Sequence, residues 1–225
     1  IEPELIWIKD YLQKNAVFID IGTNVGSFIY QLEQKLLPEN IYAFEPNERL
    51  YFRLKRIFTN INIYPFALSD KNETATFKIP IIKGKEFNSR GTLKVDYREN
   101  GEEKHVFQQV KVIKLDDWEE LKNLKKIDFI KIDVEGNEMQ TLRGAKNMIE
   151  KFRPTLMVEM EQRHHQEPLY QLISEIENWG YQPYFLNRKT FELENLGENL
   201  IANLSQNFID SKETYINNII FIPKN

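Results

Sequence analysis

The sequence predicts an α/β domain with a mostly parallel β-sheet and helices on both of its faces. Short apolar runs rich in β-branched and aromatic residues alternate with segments of helical periodicity, which is typical of βαβ units. The apolar run "IDFIKIDV" is typical of a strand that is buried on both faces. In the first part of the chain, the pattern predicts strand 16–22, helix 25–37, strand 41–46, helix 47–58 and strand 61–69.

The pattern changes after Asp70. The segments "TATFKIP" (74–80) and "HVFQQVKVIKL" (105–115) alternate apolar and polar residues, as half-exposed antiparallel strands do. A polar segment, 81–104, lies between them. We interpret this region as a β-hairpin insertion on the sheet and not as a separate domain.

The alternation of strands and helices then resumes to the end of the chain. It predicts helix 116–124, strand 127–134, helix 137–152, strand 155–160, helix 168–180 and strands 181–187 and 217–223. The pattern contains no repeat and no linker. A single domain covering 1–225 is therefore the simplest interpretation.

Composition limits the classes of function. The 225 residues carry a net charge of -4, which does not predict a nucleic-acid-binding surface. The chain has no cysteine, so disulfides and thiolate metal sites are excluded, and we expect a reducing compartment, the cytoplasm. No apolar run approaches the ~18 residues that a membrane span requires. The oligomeric state cannot be derived from the sequence.

Acidic and polar residues follow the predicted strands. In an open parallel sheet, ligands bind beyond the carboxyl ends of the strands, where the strand order reverses. We therefore interpret these residues as one shared site. They are Asp20 to Asn24, Glu45 to Asn47, Ser69 with Asp70, Asp133 to Gly136, and Glu159.

The first of these turns, within "VFIDIGTNVGSF" (17–28), has the spacing D-x-G-x-x-x-G. It lacks the third glycine of a dinucleotide fingerprint and the Gly-Lys-Ser/Thr of a phosphate-binding loop. The turn suits a ligand whose amino-acid end lies along the backbone. Gly22 would allow that approach, and Gly26 would let the helix pack against the strand. Glu45 is placed to accept ribose hydroxyls, and Asp70 to accept a purine amino group.

Six segments in order resemble the FkbM-type family of S-adenosylmethionine-dependent methyltransferases. They are "VFIDIGTNVGSF", "IYAFEPN", "FALSD", "IKLDDW", "IDFIKIDVEGNEMQTLRGA" and "RPTLMVEM", and "KIDVEGNE" with "LRGA" is the specific element. The resemblance implies a class I methyltransferase, Rossmann-like sheet of seven strands, mostly parallel with a reversed C-terminal strand. It also implies methylation of oxygen, often on sugars or polyketide-like natural products.

The resemblance also implies roles for individual residues. The cofactor-binding residues would be Asp20, Gly22, Thr23, Asn24, Gly26, Glu45, Pro46, Asn47, Ser69, Asp70 and Asp133. The catalytic residues would be Asp133, Glu135, Glu159, His164 and His165. Asp133 would contact the acceptor, and either His164 or His165 would be the base. The segment "NSRGTL" (88–93) would close over the substrate.

Other interpretations remain open at this point. Mg²⁺ is an alternative, because Asp133, Glu135 and Glu159 offer hard oxygen ligands, but the sequence favours a metal-free site. A nucleotide- or NAD-dependent sugar-modifying enzyme could use the same sheet, although the missing third glycine argues against it. A non-catalytic cofactor-binding domain is the third interpretation. The expected acceptor is a small molecule or glycan, and its identity is not encoded in a recognisable motif.

Overall fold

The computed structural model describes residues 3–197, 201, 204 and 216–224. The helices are α1 (Pro3–Tyr11), α2 (Ser27–Leu32), α3 (Glu48–Ile57), α4 (Glu119–Lys122), α5 (Glu138–Gly144), α6 (Lys146–Phe152) and α7 (Leu169–Asn178). The strands are β1 (Phe18–Ile21), β2 (Ile41–Phe44), β3 (Asn62–Tyr64), β4 (Phe66–Leu68), β5 (Glu73–Ile82), β6 (Lys85–Glu86), β7 (Glu102–Ile113), β8 (Phe129–Ile132), β9 (Thr155–Glu159), β10 (Tyr181–Leu186), β11 (Leu193–Asn195) and β12 (Asn218–Pro223).

Within the described residues, the main sheet has eight strands in the order β11-β10-β12-β9-β8-β1-β2-β3. The five strands from β9 to β3 run parallel, whereas β12 is antiparallel to both of its neighbours. The predicted mostly parallel sheet with a reversed C-terminal strand is confirmed. The short edge strand β11 is an addition that the sequence did not predict. The strand order reverses at β1, which lies between β2 and β8.

A second sheet of four strands, in the order β4-β7-β5-β6, contains the predicted hairpin. Strands β5 and β7 pair antiparallel and are longer than predicted, so that part of 81–104 is strand. The prediction of one strand over 61–69 is wrong. The chain breaks at Pro65, which has no N–H to donate, and β3 and β4 join different sheets.

Three helices also differ from the prediction. The helix predicted over 116–124 is only the four-residue α4, preceded by a 3-10 turn. The helix predicted over 137–152 breaks at Ala145 into α5 and α6, and α2 is shorter than the predicted 25–37. α1 lies outside the predicted elements. A Cβ atom at Gly144 would lie 1.9 Å from the carbonyl oxygen of Ser69, so α5 passes directly over the end of β4.

The main sheet is buried on both faces. Along β8, Phe129 packs in one apolar cluster while Ile130 and Ile132 pack in another on the opposite face. The prediction of a strand buried on both faces is thus confirmed. In the described part of the chain, no helix combines the length and apolar character needed to cross a membrane.

Candidate active site

A cavity of about 550 Å³, including space open to solvent, lies where the sheet order reverses. Its polar wall residues are Asn24, Glu45, Asn88, Ser89, Asp133, Glu135 and Asn137. Its apolar wall residues include Phe44, Phe66, Leu68, Phe77 and Leu93. The carboxyl ends of β1, β2 and β8 therefore meet at one apolar-lined site.

The turn after β1 packs directly against the end of β8. Gly22 has φ +79°, and a Cβ atom there would lie 1.7 Å from the carbonyl oxygen of Asp133. The N–H groups of Gly22 and Thr23 donate to the Phe44 carbonyl at 3.0 and 3.1 Å. Only glycine fits this close approach of the Asp133 carbonyl. The predicted approach of a ligand to the backbone at Gly22 stays a prediction.

Gly26 has a different role from the one predicted. It has φ +88°, and a Cβ atom there would lie 2.7 Å from side-chain atoms of both Leu54 and Phe58. Leu54 belongs to α3 and Phe58 follows it. The expectation that Gly26 packs α2 against the strand is therefore wrong, because the glycine instead makes room for α3 and its C-cap.

Glu45 closes the cavity beside this turn. Its Oε2 accepts the backbone N–H of Asn24 at 2.7 Å, and its Oε1 accepts the backbone N–H of Asn47 at 2.8 Å. Burial raises the pKa of Glu45 to about 7, although the two N–H groups oppose this shift. Each carboxylate oxygen keeps a further lone pair for a ligand.

Two neighbouring residues complete this end of the cavity. The side-chain oxygen of Asn24 is buried and has no hydrogen-bond partner among the described residues, an arrangement that a polar ligand would satisfy. Pro46 lies on the cavity wall. Asn47 does not line the cavity. Its side-chain oxygen caps α3 by accepting from the N–H groups of Arg49 and Leu50.

Asp20 lies below the turn and not on the cavity wall. Lys131, on β8, lies 3.3 Å from Oδ1 of Asp20 and 3.5 Å from Oδ2 of Asp133. Lys131 also donates to the Gly22 carbonyl at 3.1 Å. Burial raises the pKa of Asp20, while Lys131 acts in the opposite direction. Burial by itself would lower the pKa of Lys131. The neighbouring carboxylates of Asp20 and Asp133 have the larger effect, so the pKa lies above its ordinary value.

No motif in the sequence predicts a role for Lys131. The available signal was a lysine inside the otherwise apolar strand "FIKI". A charge in a strand buried on both faces requires a partner, and Asp20 on the adjacent strand β1 supplies it.

Ser69 and Asp70 are not brought to the cavity. Leu68 lies on the wall, but Asp70 is exposed and the carbonyl of Ser69 faces Gly144. The Leu68 carbonyl accepts from the side chain of Asn137 at 2.9 Å, which fixes the end of β4 against the start of α5. β4 belongs to the second sheet, so the residues after it point away from the site that the sequence predicted for them.

Three carboxylates meet at the ends of β8 and β9. One oxygen each from Asp133, Glu135 and Glu159 lies within 4.8 Å of the others, and we call this group the carboxylate cluster. Asp133 and Glu135 lie on the cavity wall, whereas Glu159 does not and accepts from Asn217 at 2.5 Å. Burial and the neighbouring carboxylates raise the pKa of Glu135 to about 8 and raise that of Glu159 as well.

The two histidines differ in position. Nε2 of His164 lies 3.3 Å from Oε2 of Glu135, whereas Nε2 of His165 lies 3.4 Å from Oε2 of Glu138. Burial, assisted by the charge of Arg163, lowers the pKa of His164 to about 4, so its imidazole is neutral at pH 7. Neither imidazole is on the cavity wall. The expectation that one of them contacts the acceptor as its base is not supported by this placement.

The insertion forms the remaining wall. Asn88, Ser89, Gly91 and Leu93 line the cavity, as expected for a segment that closes over the site. The Thr92 hydroxyl donates to the carbonyl oxygen of Glu135 at 2.8 Å, which joins the insertion to the end of β8.

Arg163 provides a second link that the sequence did not reveal. Its Nη1 lies 3.0 Å from Oε2 of Glu99 in the insertion, and its Nη2 lies 3.8 Å from Oε2 of Glu135. Arg90 contacts the same Glu99 carboxylate at 2.5 Å. These charged groups hold the insertion against the loop that follows β9.

The sheet order and the glycine turn define the class: the protein has a class I methyltransferase fold. The structure of the methyltransferase FkbM from Methylobacillus flagellatus KT is similar, with a TM-score of 0.58 at 14% identity over 93% of this chain and 44% of that one. The methyltransferase FkbM domain matches residues 20–183, and the chain belongs to this FkbM methyltransferase family.

Two curated relatives have similar sequences. The 2-O-methyltransferase NoeI of Sinorhizobium fredii is 29% identical over 156 residues, which are 65% of this chain and 64% of NoeI. The hexuronic acid methyltransferase AglP of Haloferax volcanii is 26% identical over 142 residues, 61% of this chain and 53% of AglP. The matched region thus spans less than two thirds of either relative.

Proposed function

We propose that this protein is an S-adenosylmethionine-dependent O-methyltransferase that acts on a hydroxyl of a carbohydrate or a related small molecule. The observation that carries this proposal is that Asp133 and Glu135 line the same cavity as Asn24 and Glu45. Family membership and the printed activities of NoeI and AglP support the same reaction class.

The residues of the cavity fit S-adenosylmethionine, which supplies a methyl group on a sulfonium when bound. The Glu45 carboxylate has lone pairs free to accept both ribose hydroxyls. The unpartnered oxygen of Asn24 offers an acceptor for an ammonium group. The acidic wall favours a ligand with positive charge at the sulfur, and Phe44 and Phe66 provide an apolar surface for a flat ring.

The acceptor is oriented by the two carboxylates that follow β8. Asp133 accepts the hydrogen bond of the reacting hydroxyl, and Glu135 accepts that of a neighbouring hydroxyl. Two such contacts fix the acceptor relative to the cofactor, and orientation of this kind is a large part of catalysis of transfer reactions. His164 contacts Glu135 from behind and limits its movement.

The direct test compares cofactor binding with turnover in Asp133→Asn. Calorimetry with S-adenosylhomocysteine should show unchanged affinity, while methyl transfer to a panel of neutral and acidic sugars falls by at least about 100-fold, as expected when a group that handles the acceptor proton is lost. Asp10→Asn, an exposed change on α1, is the matched control and should retain full activity. Failure of the folded wild-type protein to bind S-adenosylhomocysteine would rule the proposal out.

The alternatives give different results in the same assays. A nicotinamide-dependent enzyme would change NADH fluorescence on mixing, and a non-catalytic domain would bind S-adenosylhomocysteine without methylating any acceptor. Family membership favours methyl transfer over the nicotinamide alternative. The cytoplasm remains the proposed location, and the cysteine-free sequence is its support.

A further inference from the structure

Glu138 is the last residue of the segment "KIDVEGNE" (131–138), and it lies outside the carboxylate cluster. It is the first residue of α5, and its side chain is only 2% exposed. Its Oε1 accepts two backbone N–H groups of the preceding loop, from Val134 at 3.3 Å and from Gly136 at 2.9 Å. One carboxylate oxygen therefore binds the backbone on both sides of Glu135.

The backbone of this loop is in an unfavourable conformation. Glu135 has φ +52°, and Gly136 follows it with φ +104°. A residue with a side chain resists a left-handed conformation, because its Cβ atom comes too close to the following carbonyl oxygen. Such a conformation persists where the surrounding contacts enforce it. The two N–H groups bound to Glu138 supply one such contact, and the Thr92 hydroxyl, which donates to the Glu135 carbonyl at 2.8 Å, supplies another.

The structure on either side of the loop is held by contacts that do not involve Glu138. The N–H of Asp133 donates to the last carbonyl of β1 at 3.0 Å. The side chains of Asn137 and Thr141 each donate at 2.9 Å to the last carbonyl of β4, which holds α5 in place. Loss of the Glu138 contacts should therefore release the backbone of 134–136 and leave Asp133 and α5 where they are.

We propose that Glu138 is a positioning residue, which holds the backbone of 134–136 so that the Glu135 carboxylate faces the acceptor. Glu138 does not line the cavity itself and acts through Glu135, which does. The effect on the acceptor rests on the proposed function, whereas the restraint of the backbone does not. Nε2 of His165 lies 3.4 Å from Oε2 of Glu138, the oxygen that the loop does not use. The reach of Oε1 to the loop can therefore be separated from the negative charge beside His165.

The test measures amide hydrogen exchange of Val134 and Gly136 by nuclear magnetic resonance. In Glu138→Ala, both amides should exchange at least about tenfold faster than in wild type. Glu138→Gln keeps an acceptor oxygen at the same reach and should stay within about threefold of wild type. Glu138→Asp keeps the charge but is one carbon shorter, so it should resemble Glu138→Ala.

Methyl transfer should follow the same order. The kcat/KM for the acceptor should fall at least about tenfold in Glu138→Ala and Glu138→Asp and recover in Glu138→Gln, because the orientation of the acceptor is lost and restored. The Kd for S-adenosylhomocysteine should stay within about twofold of wild type, since Asp133 is held by β1. The matched control is Glu48→Ala, an exposed change at the first residue of α3, and it should alter neither exchange nor turnover.

Two results would overturn the restraint: unchanged exchange of Val134 and Gly136 in Glu138→Ala, or wild-type exchange in Glu138→Asp with fast exchange in Glu138→Gln. If Glu138→Ala does not fold, the comparison of Glu138→Asp with Glu138→Gln decides. Fast exchange with an unchanged kcat/KM for the acceptor would overturn the positioning role. The exchange measurement uses neither cofactor nor acceptor, so its outcome stands even where the proposed function fails.

Discussion

The backbone N–H of Asn24 donates to Oε2 of Glu45 at 2.7 Å, and this contact joins the turn after β1 to the end of β2. Asn24 has φ +53°, a left-handed conformation that asparagine tolerates better than most residues. The same carboxylate accepts from the N–H of Asn47 at the start of α3. Glu45 therefore fixes the shape of the turn and presents its remaining lone pairs to the cavity.

Cofactor affinity should depend on the ionisation of Glu45. Its pKa is raised to about 7, so the ionised form that accepts two ribose hydroxyls is lost as the pH falls through that value. We expect the Kd for S-adenosylhomocysteine to rise about tenfold between pH 8 and pH 6, since only about a tenth of Glu45 is ionised at pH 6. Calorimetry across this range measures the change. An unchanged Kd, or the same pH dependence in Glu45→Gln, would contradict this role.

Gly22→Ala should disrupt the turn. The new Cβ atom would lie 1.7 Å from the carbonyl oxygen of Asp133, and φ +79° alone costs about 1–2 kcal/mol for a residue with a side chain. We expect a lower Tm and loss of S-adenosylhomocysteine binding. The matched control is Gly197→Ala, where no atom of the described residues lies within 4 Å and the free energy of unfolding should change by less than about 0.5 kcal/mol. Equal stability of both variants would show that the backbone approach is not restrictive.

Lys131→Met should destabilise the fold because it leaves Asp20 buried without its ion-pair partner. Removal of one member of a buried pair costs about 3–5 kcal/mol. Adding Asp20→Asn should recover much of that loss, since the uncompensated charge is then gone. Urea unfolding of both single variants and the double variant gives the coupling energy. Strictly additive effects would mean that the 3.3 Å contact contributes nothing to stability.

Thr92→Val should loosen the insertion. The change keeps the shape of the side chain but removes the hydroxyl that donates to the Glu135 carbonyl at 2.8 Å. The same hydroxyl accepts from the Lys94 N–H at 3.0 Å, and the loss of each hydrogen bond should cost about 1 kcal/mol in the free energy of unfolding. The rate of methyl transfer should fall by more than this loss of stability explains, because Glu135 lies on the cavity wall. Turnover assays and urea unfolding of the same variant measure the two effects.

The control for this variant is Thr76→Val on the same hairpin. The Thr76 hydroxyl accepts from the side chain of Gln109 in an exposed position. Loss of this hydroxyl should therefore have little effect on the free energy of unfolding or on the rate of methyl transfer. A Thr92→Val variant with wild-type turnover would indicate that the insertion does not position Glu135.

Much of the fold could be predicted from local patterns. The continuous apolar runs predicted the parallel strands. The D-x-G-x-x-x-G spacing marked Gly22 as a position of close approach, but it did not predict that the Asp133 carbonyl is the group that approaches it. The break at Pro65 was not predicted, because β-propensity continues through "INIYPFALS" (61–69) and only the partner strands decide that β3 and β4 belong to different sheets.

The sequence by itself determined which residue types follow each strand, and hence that Glu45, Asp133 and Glu135 come together at one edge of the sheet. This follows from chain direction, since parallel strands end on the same side. Only the tertiary structure decided the pairing of Lys131 with Asp20, the placement of His164 behind Glu135, and the exclusion of Asp70 from the cavity. These depend on which side chains from distant segments become neighbours and how far each is removed from water, and no local pattern carries that information.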